Sequence, residues 1–230
     1  SGCGSLTSVT MPSGLEVIGQ YAFAMSGVQA ITIPGSVNTI GDNAFWKCGS
    51  LQSVTVFDGV SVIGSEAFSQ TAIETLILPD SVKSINSMAF MSASRLTSVV
   101  LGTGLETIGY GAFKDCAELL SAEVKSGLQS IGVLAFSGCF KLAGITIPDT
   151  VNEIGEYAFK NTAITDITVP GSVKTIRNST FENCVLLTNV TLEYGIETIT
   201  DSAFANTAVS SLIIPDSVLS IGYHAFYLCS

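Results

Sequence analysis

The side chains best suited to nucleophilic, acid–base or metal chemistry in this chain are six cysteines, one histidine and nineteen carboxylates. The cysteines stand at 3, 48, 116, 139, 184 and 229. Zinc sites draw thiolates from close pairs such as C-x-x-C, and none is present. Five of the six follow a recurring phenylalanine by three residues, where other copies of the pattern carry Ser26, Thr71, Ala93, Thr162 and Thr207. That position asks for a small side chain rather than a thiol, so packed free cysteines are expected. Only Cys116 and Cys139 fall on neighbouring copies, within disulfide reach. A shared position points both sulfurs in parallel, so this pair is expected to be reduced. Cysteine usage therefore says nothing about the redox compartment.

His224 occupies a place that holds Tyr21, Asn43, Glu66, Met88 and Tyr157 elsewhere, a surface-like mixture. A catalytic triad needs a base oriented by a third group, and nothing recurs around His224 to do that. Glu153 and Glu156 read as solvated loop charge. The glycines sit at corners rather than in a phosphate loop between strand and helix. Asn178-Ser179-Thr180 and Asn189-Val190-Thr191 match the glycosylation sequon, a weak pattern. No enzyme, metal site or cofactor is expected.

Composition narrows the remaining classes. The chain is 47% hydrophobic but only 12% charged, with a net charge of −10. Its nine basic residues are scattered singly, which argues against electrostatic binding to nucleic acid or anionic lipid. Mean hydropathy is +0.52, yet the longest apolar runs, Tyr21 to Met25 and Ala225 to Cys229, are five residues. A spanning helix needs ~20, and the ~10-residue alternating strands of a membrane barrel are missing too.

What must position these residues is a repeat. Ten of twelve phenylalanines recur every 22 or 23 residues, from Phe23 to Phe226. Nine of those ten follow Ala; Thr180 precedes the exception, Phe181. An Ile stands five residues before each, followed by Gly in seven copies; Asn86, Arg177 and Thr200 are the departures. Between them runs an L-x-x-V-x-I segment, for example Leu51-Val54-Val56 and Leu142-Ile145-Ile147. All six prolines come directly after that segment, where the missing N–H ends a strand. The change between 22 and 23 is one residue in the loop after Phe: the leucine position follows Phe by five residues after Phe23, Phe68, Phe159 and Phe204, and by six elsewhere.

L-x-x-L-x-L at a period of about 20–29 is a leucine-rich-repeat signature. The full unit, L-x-x-[IV]-x-[ILV]-P-x-[ST]-V-x-x-I-G-x-x-A-F-x-x-C, closely resembles the BspA-like class over essentially all 230 residues. The expected fold is mainly β: a right-handed solenoid of about ten coils, residues 1–230 as one domain, about 48 Å long at ~4.8 Å per coil. Very short strands are predicted at the I-x-I and T-I or S-I segments, with a tight turn or one 3-10 turn at Ala-Phe. One coil cannot bury enough to order itself, so stacking must supply the core.

The exposed middle of the I-x-I strand forms one row: Thr10, Thr32, Thr55, Ile77, Val100, Glu123, Thr146, Thr168, Thr191 and Ile213. β-branched Thr simply suits an exposed strand. The alternative is a binding surface interrupted by apolar Ile77 and Val100 beside Glu123. The face carries no Trp, Tyr or Arg, the usual hot-spot types. Trp46, the only tryptophan, lies at a coil edge and is a further candidate anchor, although local packing is the simpler role. Candidate contact residues are therefore Ile77, Val100, Glu123, Thr55, Thr146 and Trp46.

No secretory signal opens the chain, which starts inside a repeat and stops before the next strand. Flanking repeats or caps are expected outside it, or self-association by end-to-end stacking. The resemblance implies an extracellular or cell-surface, non-enzymatic interaction module, in some members an adhesin for host matrix protein. It carries over no binding residue. A purely structural stalk displaying another domain is the alternative, and carbohydrate binding on the Thr rows a third. No nucleic-acid partner and no membrane insertion are expected.

Overall fold

The computed structural model describes residues 4–230, so Cys3 lies outside the described residues. Each coil contributes two short strands. Eight wall strands of two to four residues run from Ala30–Ile33 to Asn189–Leu192, and ten two-residue corner strands run from Val17–Ile18 to Ser220–Ile221. Every pairing is parallel and joins equivalent positions, as in Ile31↔Val54 and Ile40↔Ile63. Alternation does the sorting: in Ala30–Ile33 the two Ile side chains are buried and Ala30 and Thr32 are exposed. No helix is long and apolar enough to cross a membrane among the described residues.

The ten phenylalanines form one column of nine stacked contacts, with centroids 5.1–5.6 Å apart and planes within 11°. Eight of them, Phe45 through Phe204, are fully buried. The column is spaced more widely than the ~4.8 Å of paired strands. The Ala-Phe segment is a chain of turns with no 3-10 helix among the described residues. Phe45 N–H donates to Ala67 O of the next coil, while Cys48 N–H donates back to Phe45 O. Residues two before and two after each Phe hold left-handed backbone, for example Asn43 at φ 56° and Lys47 at φ 57°.

Ten coils are thus present at the Phe column, but the wall sheet stops short of both ends, leaving eight wall strands where ten were expected. Both terminal gaps, and two interior ones, share one cause. Wall pairing is absent wherever a coil is one residue short: before Ile31, between Ser53–Val56 and Thr75–Ile77, between Gly144–Ile145 and Asp166–Val169, and after Asn189–Leu192. The shorter lead-in draws the strand away from its neighbour; at the first three gaps one lead-in bond remains, Gln29 N–H to Thr7 O, Glu74 N–H to Gln52 O and Thr165 N–H to Ala143 O.

The corner sheet breaks once, between Glu153–Ile154 and Thr175–Ile176. The glycine after the corner Ile is there because coils approach closely: a Cβ on Gly41 would lie 2.8 Å from Ile18 O. Asn86 and Thr200 occupy that place in corners that stay paired, whereas Arg177 occupies it in the coil where pairing fails, its guanidinium reaching Glu153 Oε1 at 3.0 Å. Both sheets therefore stop at the same interface, which is held by the Phe159–Phe181 stack, turn bonds such as Phe159 N–H to Thr180 O, and Ser172 Oγ donating to Val151 O. No other interior interface loses both ladders.

Candidate interaction surface

The interface between residues 144–159 and 166–181 is also where the surface opens. On the wall face a depression of about 560 Å³ is lined by Val100, Glu123, Gly144, Thr146, Thr165 and Asp166, among others. A narrower cleft of about 190 Å³ continues between Ile145–Ile147 and Asp166–Thr168. At the corner a third, of about 250 Å³, lies between Asn152–Glu153 and Lys174–Arg177. The depression has a simple origin. Ala143 and Gly144 put almost no side chain on the wall where other coils carry Gln52 and Ser53 or Thr97 and Ser98.

The structure brings three of the six candidate residues together there: Val100, Glu123 and Thr146. Ile77 pairs in register with Val100, and Val100 with Glu123, so the apolar step adjoins the depression. Ile77 is 67% exposed, whereas Val100 is only half-exposed, less than its place in the row suggested. Thr55 lies apart, in a cleft of about 400 Å³ with Thr10, Thr32 and Phe57. Trp46 is on the turn edge, half-buried, with Lys47 Nζ 4.2 Å above its ring.

The depression's two carboxylates are already engaged. Glu123 pairs with Lys125. Asp166 accepts from the Thr165 hydroxyl and the Asn189 amide, which hold its carboxyl below the ordinary aspartate value. It is ionised at neutral pH, offering fixed negative charge flanked by hydroxyls. Across the chain, eight of the nine basic side chains pair with carboxylates, Lys160–Glu182 being the least exposed pair. Most of these pairs are exposed and contribute little stability. The surface left over is acidic.

His224 is exposed and stacked between Tyr223 and Tyr227, at 3.7 and 4.5 Å. Among the described residues no group of His, Cys, Asp and Glu is placed to hold a metal. Cys116 and Cys139 are free and buried, and each Sγ donates to a different carbonyl, Phe90 O and Phe113 O, both at 3.1 Å.

Repeated coils with a Phe column, parallel wall strands and an engaged thiol row define a leucine-rich-repeat solenoid. The sequence matches the BspA type leucine rich repeat region (6 copies) over residues 1–120 and 106–230, and the chain belongs to that family. No curated protein sequence matches it. Among solved structures, a leucine-rich repeat protein from Bacteroides ovatus is similar at 22% identity and TM-score 0.56, over 98% of this chain and 85% of that one. The T. pallidum leucine rich repeat protein gives 25% identity and TM-score 0.62, over 83% and 80%. A leucine rich cell surface protein from Faecalibacterium prausnitzii gives 24% and 0.50, over 84% and 74%.

Proposed function

We propose that this chain is a non-enzymatic protein-interaction module of a secreted or cell-surface protein, and that it holds its partner on the wall face around Gly144. The observation that carries this reading is the depression beside the apolar step of Ile77 and Val100, at the one interior interface where both sheets stop. Concave surface with exposed apolar neighbours and a few fixed polar groups is what a partner can bury with specificity. The F. prausnitzii relative, named as a cell surface protein, supports the location. The family resemblance supports adhesion to a host matrix protein as the finer reading to test.

The test is a binding screen against immobilised fibronectin and other matrix proteins. It compares wild type, an Ile77→Asp/Val100→Asp double variant and Gly144→Arg. A Cβ at Gly144 meets nothing within 4 Å, so the backbone there accepts a side chain, and Arg is chosen to extend into the depression. Either variant is expected to weaken binding at least tenfold, about 1.4 kcal/mol. Wild-type binding that both variants retain would move the surface elsewhere. Absence of wild-type binding would favour the second reading, a spacer displaying another domain, which the regular Phe column supports.

A further inference from the structure

The short coil that interrupts the wall sheet also cuts a notch into the opposite side of its lead-in loop. Phe140 stands on one side, Val185 and Leu186 on the other, and Thr162–Ala163 form the floor one residue lower; the space is about 380 Å³. The three wall side chains are 59%, 56% and 52% exposed. Along one lip run Asn161, Asn183 and Asn206 on successive coils. Their backbones are left-handed, at φ 60°, 61° and 56°, a conformation Asn tolerates. Asn183 Nδ2 donates to Asn161 Oδ1 at 3.1 Å, and Asn206 Nδ2 to Asn183 Oδ1 at 2.9 Å. A carboxamide has two N–H donors and two acceptor lone pairs, so each rung keeps a donor and an acceptor for a ligand. No ionisable side chain lines the notch, although the chain carries nineteen carboxylates.

We propose that this notch binds a neutral oligosaccharide. The lining excludes the alternatives in turn. A charged ligand would find no counter-charge. A purely apolar knob would cover the donors and acceptors that the three carboxamides do not use on one another, and leave those unpaired. An extended peptide presents its same-side groups about every 6.6–6.8 Å. The phenylalanines two residues before the rungs have ring centroids 5.4 and 5.2 Å apart, so a strand laid along coils at that spacing slips by more than about 1 Å per rung. A sugar ring escapes both problems. Its polarised C–H face suits the electron-rich face of Phe140. Its hydroxyls, each donor and acceptor, surround the ring and need no fixed register. The ladder is pre-ordered by its own hydrogen bonds and backbone, which lowers the cost of binding. The Thr rows of the wall offer hydroxyls without an aromatic ring; here ring and amides adjoin.

The experiment is an NMR titration of the full chain, following backbone and side-chain amides, with chitotriose, maltotriose and a capped neutral tripeptide as probes. At least one triose is expected to shift the Asn161, Asn183 and Asn206 carboxamides saturably, with Kd below about 10 mM. Phe140→Ser, and independently Leu186→Ser, should weaken it at least tenfold; both side chains are exposed, so the rest of the spectrum stays native. The proposal is overturned if neither triose shifts these amides. Shifts that gather on Thr55 and Thr146 instead, or that Phe140→Ser leaves unchanged, overturn it equally. So does a tripeptide that occupies the notch while the sugars do not. Gly144→Arg should leave sugar binding intact, which separates this site from the wall-face surface.

Discussion

Three residues after every core phenylalanine except Phe90, which is followed by Ala93, the side chain does more than stay small. Cys48 donates to Phe23 O at 3.0 Å, Cys184 to Phe159 O at 3.1 Å and Cys229 to Phe204 O at 3.2 Å, each reaching into the preceding coil. Thr71 and Thr207 instead donate to their own Phe68 O and Phe204 O. The hydroxyls, Ser26, Thr71, Thr162 and Thr207, mark the four short coils, while Cys or Ala marks the long ones from Cys48 to Cys184. Both columns are visible in the sequence, and their correlation is the signal that reading each alone misses. Burial pushes the Cys116 thiol up to about 12 and Cys184 to about 11. Iodoacetamide should therefore modify half-buried Cys229 well before Cys116, Cys139 and Cys184, as peptide mapping would show. Modification of the buried three at the same rate would contradict this packing. These thiols bind their protons more tightly folded than unfolded. Their stabilisation is complete below the ordinary thiol value of 9.0 and is lost as pH rises through the folded values.

At the scale of strands and coils, the alternation of Ile and Thr was enough to place the wall strands, because period two on a half-buried face admits one register. The corner strands were legible for the same reason. The interruptions are not legible from the pattern alone: the wall gaps coincide with a one-residue deletion, but a side chain in the glycine's place does not by itself mark the corner gap, since Asn86 and Thr200 stand there in paired corners. A deletion alters pairing only through the geometry of the neighbouring coil, which pattern counting does not include. The same holds for the depression at Gly144, which exists because small residues coincide with a gap in pairing. Hydrogen exchange is expected to be faster at Thr168, Lys174, Thr175 and Arg177, whose N–H groups face the gap, than at the paired equivalents Thr191, Glu197, Thr198 and Thr200. Arg177→Gly should allow the corner to close, slowing exchange there and adding about 1 kcal/mol as strand bonds replace an exposed ion pair. An unchanged exchange pattern would mean that the arginine does not hold the corner open.

For the molecule as a whole, stability in a stacked array is a sum over coils and their interfaces, so its weakest interface sets where cooperativity fails. That interface joins the coil ending at Phe159 to the coil ending at Phe181. Urea unfolding should show two transitions, with Phe113→Ala lowering one and Phe204→Ala the other, each by about 3–5 kcal/mol. A single transition shifted alike by both would show that the Phe column alone unites the two parts. The wall-face depression and the notch flank this same interface. The short coil has a further consequence, in terms of inheritance. Removing one codon from a lead-in loop leaves the buried Phe, Ile and Leu columns intact, yet it parts two strands, and at Thr162–Ala163 it also opens a notch. Four such coils are written into this gene. A lineage built this way can acquire new surface relief by loss of a single loop codon, without waiting for point substitutions and without placing its core at risk.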